Sequence, residues 1–329
     1  MSYLVAVTST AFHNDAKALL ENKGFEVVWK PMPTQAEMAE LLREADAHIA
    51  GSEPLGADIL SQAAKLKVIA RVGVGYDAVD CRYAAERGIP VTITLGANEQ
   101  SVADLVFAHL LGLARRLPEQ DRSVRAGGWS AGPIGTEVWS KTIGIVGTGR
   151  IGKAVARRAA GFDMRIVAYD PYPDAAWAES NGIRYVELDR LLAESDVVTL
   201  HTPATSETVG MVNGAFLGKM KPTAFLINTA RGTLVDEEAL YEALSNGMIA
   251  GAGLDVFREE PLPAGNKLTT LGNCLLTSHI ASHTEEALRR MCVMSAEEVV
   301  RVLGGDSPRY PVPLPAAVQA LQDKGGASR

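Results

Sequence analysis

Three stretches of the chain end an apolar run and then present a residue able to hold or move a proton. "AFLINTARGTLVDEEAL" presents Arg231 before Gly232, "GAGLDVFREEP" presents Glu260 before Pro261, and "LLTSHIAS" presents His279. An arginine can grip a carboxylate and a carbonyl oxygen with its planar fork. A histidine can give a proton to that oxygen as a hydride reaches the carbon. A carboxylate beside the histidine would orient the ring and raise its pKa, keeping it protonated near neutrality. Each residue also has a plainer reading: a surface arginine, a solvated pair of glutamates, a histidine spent on capping. His283 follows His279 by four positions, the spacing with which a helix offers two metal ligands. No glutamate stands between them and no third ligand is apparent. Ser282-His-Thr-Glu285 reads as a capping box that starts a helix at about His283. His279 then lies before the helix, and His283 lies in its first turn, at a cleft rim or against a substrate. No metal site is expected. His201, at a strand end before Thr202-Pro203, reads as structural or cofactor-proximal.

The elements that must position these residues are short apolar runs alternating with helical patterns. The runs are "YLVAV", "FEVVW", "AHIAG", "KVIARV" and "VTIT", then "TIGIVG", "RIVAYD", "DVVTLH", "TAFLIN", "GAGLDV" and "CLLTSH". Such alternation builds parallel sheets covered on both faces, with ligands at the carboxyl ends of the strands. Two series in one chain imply two α/β domains, with a boundary near Asn98. A helix from about Ser101 to Leu117 follows. Its stretch "VADLVFAHLLGLA" is apolar nearly all round, so it is buried or lies in a subunit interface; with the arm after it, it suggests dimerisation, and a helix that bridges the domains is the alternative. "PEQDRSVRAGGWSAGP" after it reads as a polar, Gly-rich arm. A last helix, roughly Thr284 to Leu303, could return to the first domain. "YPVPLP" reads as extended, and residues 316–329 as a mobile tail.

"TIGIVGTGRIGKAVARRAA" holds a nucleotide fingerprint, with Gly147, Gly149 and Gly152 in G-x-G-x-x-G spacing. Alone the motif is weak, but here it follows a strand and opens a helix at Arg150 and Ile151. The next strand ends at Asp170, eighteen residues beyond Gly152. Gly147 allows the tight turn, Gly149 lets a pyrophosphate approach, and Gly152 lets the helix pack on the sheet. Asp170 would accept from the adenosine ribose hydroxyls. It would also repel a 2′-phosphate by about 4 kcal/mol, for unit charges about 4 Å apart at an effective dielectric of about 20. NAD is therefore expected over NADP. A plain crossover with packing glycines is the alternative.

The bulk numbers bound the partners. At 329 residues the chain suggests about two domains. Net charge is −7 with no basic stripe, which argues against nucleic acid and anionic membranes. Cys81, Cys274 and Cys292 are odd in number and far apart, which fits a reducing compartment. "MSYLVAVTST" lacks a basic n-region and reads as a first strand. A cytoplasmic protein is expected.

Taken together, "GVGYDAVD" (73–80), "SVADLVFAHLL" (101–111), "GTGRIG" (147–152), "LHTPATSETVGMVN" (200–213), "NTARGTLVDEEAL" (228–240), "AGLDVFREEP" (252–261) and "SHIAS" (278–282) resemble the D-isomer-specific 2-hydroxyacid dehydrogenase family. The resemblance runs in order from about residue 45 to 303. It implies that Arg231, Glu260 and His279 are the catalytic set. It also implies that backbone N–H groups of Gly73, Val74 and Gly75 hold the substrate carboxylate, with Asp255 on the nicotinamide amide. The implied fold is a Rossmann NAD-binding domain (99–284), with dimerisation helix and arm, inserted into a flavodoxin-like substrate domain (1–98 and 285–315). A homodimer is implied. The expected reaction interconverts a D-2-hydroxy acid and its 2-oxo acid with NAD. Family members acting on 3-phosphoglycerate are the alternative. In that branch an arginine directly before a serine reaches towards the phosphate, whereas here Gly51 precedes Ser52 and Glu53 follows. Arg71 or a partner subunit's arginine could substitute. Many serine-pathway members also carry a C-terminal regulatory domain, for which little chain remains after the last helix. A small unphosphorylated acid is therefore expected. A rival of another class is an NAD-binding corepressor-like protein, which the complete trio argues against.

Overall fold

The computed structural model describes every residue except Met1, Ser130, Ala131, Pro133 and 314–329. The chain forms two compact units. One runs from the start to Asn98 and resumes at His283; the other is Glu99–Ser282.

The first unit holds five parallel strands: β1 (Leu4–Val7), β2 (Glu26–Trp29), β3 (Ala47–Ala50), β4 (Val68–Arg71) and β5 (Val91–Thr92). Their order is β2-β1-β3-β4-β5, the flavodoxin-like order, whose switch point lies between β1 and β3. Strands β3 and β4 are buried at every residue, as strands covered on both faces must be. The helix Glu285–Leu303 packs Cys292, Ala296, Val299 and Leu303 into the core of this unit with Val5, Val7 and Val68. The chain then runs extended beside β5, where Ile93 N–H donates to Tyr310 O and Val312 N–H to Val91 O. The rest of "YPVPLP" and the expected tail lie outside the described residues.

The second unit holds seven parallel strands: β6 (Thr142–Val146), β7 (Arg165–Tyr169), β8 (Arg184–Tyr185), β9 (Val197–Leu200), β10 (Phe225–Asn228), β11 (Gly251–Leu254) and β12 (Cys274–Leu276). Their order is β12-β11-β10-β9-β6-β7-β8. This is the doubly wound dinucleotide topology, with its switch point between β6 and β9. Strand β8 is two residues long and not fully buried, so it carries no apolar run and leaves no mark in the sequence.

Three expectations need correcting. The long apolar helix runs over Glu99–Ala114 and not 101–117; within its own unit it buries Ala103, Val106, Phe107, Leu110 and Ala114, in line with its apolar pattern. The segment after it is not all arm, since Leu117–Arg125 is helical. Pro118 supplies a helix-ready φ in the first turn, and Glu119, Asp121, Arg122 and Arg125 form a charged helix that composition alone cannot tell from a loop. The last helix is capped by Thr284, whose hydroxyl accepts from Ala287 N–H at 3.2 Å, and not by Ser282. The helix that starts there buries Ala287 and Met291, one turn apart on one face. His283 is thus exposed and outside the helix. Among the described residues no helix is long and apolar enough to cross a membrane.

Candidate active site

The glycines of the fingerprint have separate jobs. Gly147 ends β6 at φ +94°, and a side-chain carbon there would meet the His201 carbonyl oxygen at 2.6 Å. Gly152 lies inside the helix Arg150–Gly161, where a side chain would run into the Gly147 carbonyl. Gly149 caps that helix with no side-chain bond, and the space beside its Cα is open. Free N–H groups at a helix start with room in front of them fit a pyrophosphate. Asp170 follows β7. Its Oδ2 accepts from Thr148 N–H at 2.7 Å and from Thr148 Oγ1 at 3.0 Å, and its Oδ1 accepts from Tyr172 N–H at 2.9 Å. The carboxylate therefore stands against the turn that the pyrophosphate would occupy.

The proton-handling residues follow β10, β11 and β12 of the same sheet. After β10, Asn228 turns the chain: its Nδ2 donates to Arg231 O at 2.8 Å and its Oδ1 accepts from Ala230 N–H at 3.0 Å. Gly232 follows because a side chain there would strike the Phe257 carbonyl. That close approach sets Arg231 beside the loop after β11. There Glu260 Oε1 accepts from Phe257 N–H at 2.9 Å, and Oε2 lies 2.7 Å from His279 Nδ1. The ring nitrogen facing the carboxylate carries the hydrogen, so Nε2 is left as the nitrogen that can exchange a proton. The hydrogen bond from Glu260 raises the His279 pKa above its ordinary value against the opposing pull of burial, and the Glu260 and Asp255 charges add to it. Burial works to raise Glu260, but the bonds from His279 and Phe257 and the nearby positive charges bring it below its ordinary value. The three residues form one electrostatic unit, in which Arg231 opposes protonation of both partners.

His279 has φ +56°, a left-handed conformation that costs an ordinary residue about 1–2 kcal/mol. Asp255, with no exposed surface, holds this turn: its Oδ1 accepts from Ile280 N–H and its Oδ2 from Ala281 N–H, both at 2.9 Å, while its carbonyl accepts from His279 N–H at 2.8 Å. The residue expected to meet a nicotinamide amide thus already works on the histidine loop. The sequence offered no sign of this, because the donors are backbone groups.

In the first unit, Gly73 takes φ +142°, open only to glycine. Its N–H is not available to a ligand, since it donates to Thr94 Oγ1 at 3.0 Å. Arg71 is buried, and donates from Nε to Gly75 O at 2.8 Å and from Nη1 to Ala50 O at 3.1 Å. It braces the glycine loop and is not a stand-in phosphate ligand. At the switch point, Glu53 lies over Gly51, whose missing side-chain carbon would sit 2.5 and 2.7 Å from the two carboxylate oxygens. Thr8 Oγ1 donates to Glu53 at 3.3 Å and lies 2.9 Å from Nε2 of the buried His48. Burial pushes the His48 pKa down to about 3, so the ring is neutral. His201 pairs its Nε2 with Thr199 Oγ1 at 2.9 Å, and burial lowers it likewise. Among the described residues no three His, Cys, Asp or Glu side chains stand together as a metal site.

A glycine-built anion cradle and an arginine, glutamate and histidine at the carboxyl ends of one sheet are the parts of a nicotinamide-dependent oxidoreductase. Residues 107–281 match the domain described as "D-isomer specific 2-hydroxyacid dehydrogenase, NAD binding domain". A glyoxylate reductase of Korarchaeum cryptofilum is 44% identical over 289 residues, 85% of this chain and 87% of that protein. A D-3-phosphoglycerate dehydrogenase of Archaeoglobus fulgidus is 38% identical over 90% of this chain, which spans 57% of that protein's length. The crystal structure of the TT0316 protein from Thermus thermophilus superposes with a TM-score of 0.87 at 40% identity, covering 94% of this chain and 100% of that one. The chain belongs to the D-isomer specific 2-hydroxyacid dehydrogenase family, and its cofactor is NAD.

Proposed function

We propose that this enzyme reduces a small, unphosphorylated 2-oxo acid to the D-2-hydroxy acid, with His279 as the proton donor. The 2.7 Å pairing of His279 with Glu260 carries this reading, because it favours the charged imidazole and leaves Nε2 to act. When bound, NADH supplies the hydride. Arg231 holds the substrate's carboxylate and carbonyl oxygens, and His279 protonates the oxygen from which the hydroxyl forms. The N–H groups of Val74 and Gly75 take the carboxylate, now without Gly73. On the cofactor, the helix start at Arg150 and Ile151 takes the pyrophosphate, Asp170 takes the ribose, and Asp255 has acceptor capacity left for the nicotinamide amide.

Two observations support an unphosphorylated substrate. Gly51 and Glu53 put a carboxylate where a phosphate would need a cation, and Arg71 is spent on backbone carbonyls. The 44% identity to a protein named glyoxylate reductase agrees. The 38% identity to a D-3-phosphoglycerate dehydrogenase favours the competing reading. Measuring kcat/KM for glyoxylate, hydroxypyruvate and 3-phosphohydroxypyruvate with NADH decides between them. Charge-assisted bonds to a phosphate are worth about 1.5–3 kcal/mol each, so lacking one should leave the phosphorylated compound about tenfold or more behind. A preference for it of that size overturns the assignment.

The working form is a homodimer joined through the segment after the Glu99–Ala114 helix. Trp129 and Ile134 there are 93% and 97% exposed, and Leu117, Val124 and Trp139 are also open, large apolar side chains whose burial a partner copy would favour. Three free thiols, with Cys274 pushed by burial up to about 12, support a reducing cytoplasm.

A further inference from the structure

The turn that carries His279 is fastened from behind by a second histidine. His109 lies on the Glu99–Ala114 helix and is 1% exposed. Its Nε2 is 2.9 Å from Thr277 Oγ1, and Thr277 Oγ1 donates to Asp255 Oδ1 at 2.6 Å. Asp255 in turn receives the N–H groups of Ile280 and Ala281, the two residues after His279. We infer that His109 and Thr277 are positioning residues, and that the line His109–Thr277–Asp255 holds the left-handed turn on which His279 is presented. The inference rests on the reading of His279 as proton donor.

The hydrogens along this line can run only one way. His109 Nδ1 is buried and has no hydrogen-bond partner. A buried N–H without an acceptor costs more than a bare ring nitrogen, so the hydrogen sits on Nε2 and is given to Thr277. Burial lowers the His109 pKa and keeps the ring neutral. Thr277 has one hydrogen, and with its oxygen already accepting it must give that hydrogen to Asp255. The carboxylate is then held by three donors over both oxygens. A rotation of Asp255 would tilt the Ile280 and Ala281 amides, and with them the His279 ring.

The same helix makes a second attachment. Ser101 Oγ donates to Ala281 O at 2.7 Å. Ser101 and His109 are eight residues apart, about two turns, and so share a helix face. Strand β11 makes room for the ring: a side chain on Gly253 would meet His109 Nδ1 at 2.5 Å and its Cβ at 2.8 Å. A histidine against a glycine, a threonine and a buried aspartate is more than apolar helix packing requires.

The test compares isosteric and rescuing variants with glyoxylate as substrate. Thr277→Val and His109→Met remove a hydrogen bond at similar volume, while Thr277→Ser and His109→Gln keep a donor in place. The expected result is a fall in kcat of about tenfold or more in the first pair. The serine and glutamine variants should recover most of the rate. If His109→Met does not fold, the valine and serine pair decides alone. His279→Ala is measured in parallel. If it keeps full activity, the proton-donor reading and this inference fall together. If it is inactive while Thr277→Val keeps kcat within about twofold, only this inference is overturned. A loss that serine does not restore also overturns it, because volume and not the hydroxyl would then matter.

Discussion

His279 Nδ1 and Glu260 Oε2 stand 2.7 Å apart at the ends of two neighbouring loops, each half-exposed or less. The pairing acts first on pH dependence. His279 is raised above its ordinary value chiefly by this bond, so its protonated form survives to higher pH. With His279 as the proposed proton donor, reduction should fall as pH rises through the raised value. Glu260→Gln removes the charge and should move the falling limb to lower pH, and pH profiles of both enzymes check this. His279→Ala should lose about 10²–10⁴ in kcat.

The fingerprint glycines separate binding from folding. At Gly149 a methyl group meets nothing in the protein. Gly149→Ala should therefore leave the melting temperature within a degree or two while raising KM for NADH, since only the pyrophosphate needs that space. At Gly152 a methyl group runs into the Gly147 carbonyl, which is backbone and cannot turn away. Gly152→Ala should cost about 1–3 kcal/mol of stability as well as cofactor affinity. Thermal melts beside NADH titrations distinguish the two.

Asp170 is bonded into the turn after β6 and is the proposed selector of NAD. Asp170→Ser should lower the barrier to NADPH, up to the about 4 kcal/mol of charge repulsion at full strength. It also removes acceptors from Thr148 and Tyr172, so NADH should weaken at the same time. The ratio of kcat/KM values for the two cofactors is the measurement. Equal use of both by the unaltered enzyme would remove Asp170 from the role.

Glu53 should set the charge tolerance of the substrate. Glu53→Gln is expected to raise kcat/KM for 3-phosphohydroxypyruvate relative to hydroxypyruvate several-fold. Gly51→Arg alone should gain little, because the new side chain must displace the carboxylate beside it. The two variants assayed on both substrates check the order.

Much of this was legible in the chain. Eleven of the twelve strands announce themselves as apolar runs, because strands covered on both faces must be apolar throughout; Arg184–Tyr185 does not. Arg231, Glu260 and His279 were legible because parallel sheets gather ligands at strand ends. The hold of Asp255 on the histidine turn was not legible, nor were the places of Thr277 and His109: their partners lie 22 and 168 residues away along the chain. The Gly73 N–H looked free because the claim of Thr94 on it, twenty-one residues on, leaves no local pattern. Ser282 read as the cap because Glu285 completes a capping box with it, whereas the hydroxyl that accepts from Ala287 N–H is that of Thr284.

The neutral histidine behind Glu53 has a consequence for the whole molecule in acid. His48 titrates near 6.5 when unfolded but is held down to about 3 in the folded protein. Below about pH 6.5 the unfolded chain therefore binds a proton that the native one refuses, and stability drops by about 1.4 kcal/mol for each further pH unit down to about 3. His201, likewise held down to about 3, and His109, depressed in the same direction, add to the slope. Mild acidification should thus loosen both units together, the first through His48 and the second through His109 and His201. An acid-induced melt would be steeper than the carboxylates alone produce, and His48→Gln, if it folds, should flatten it.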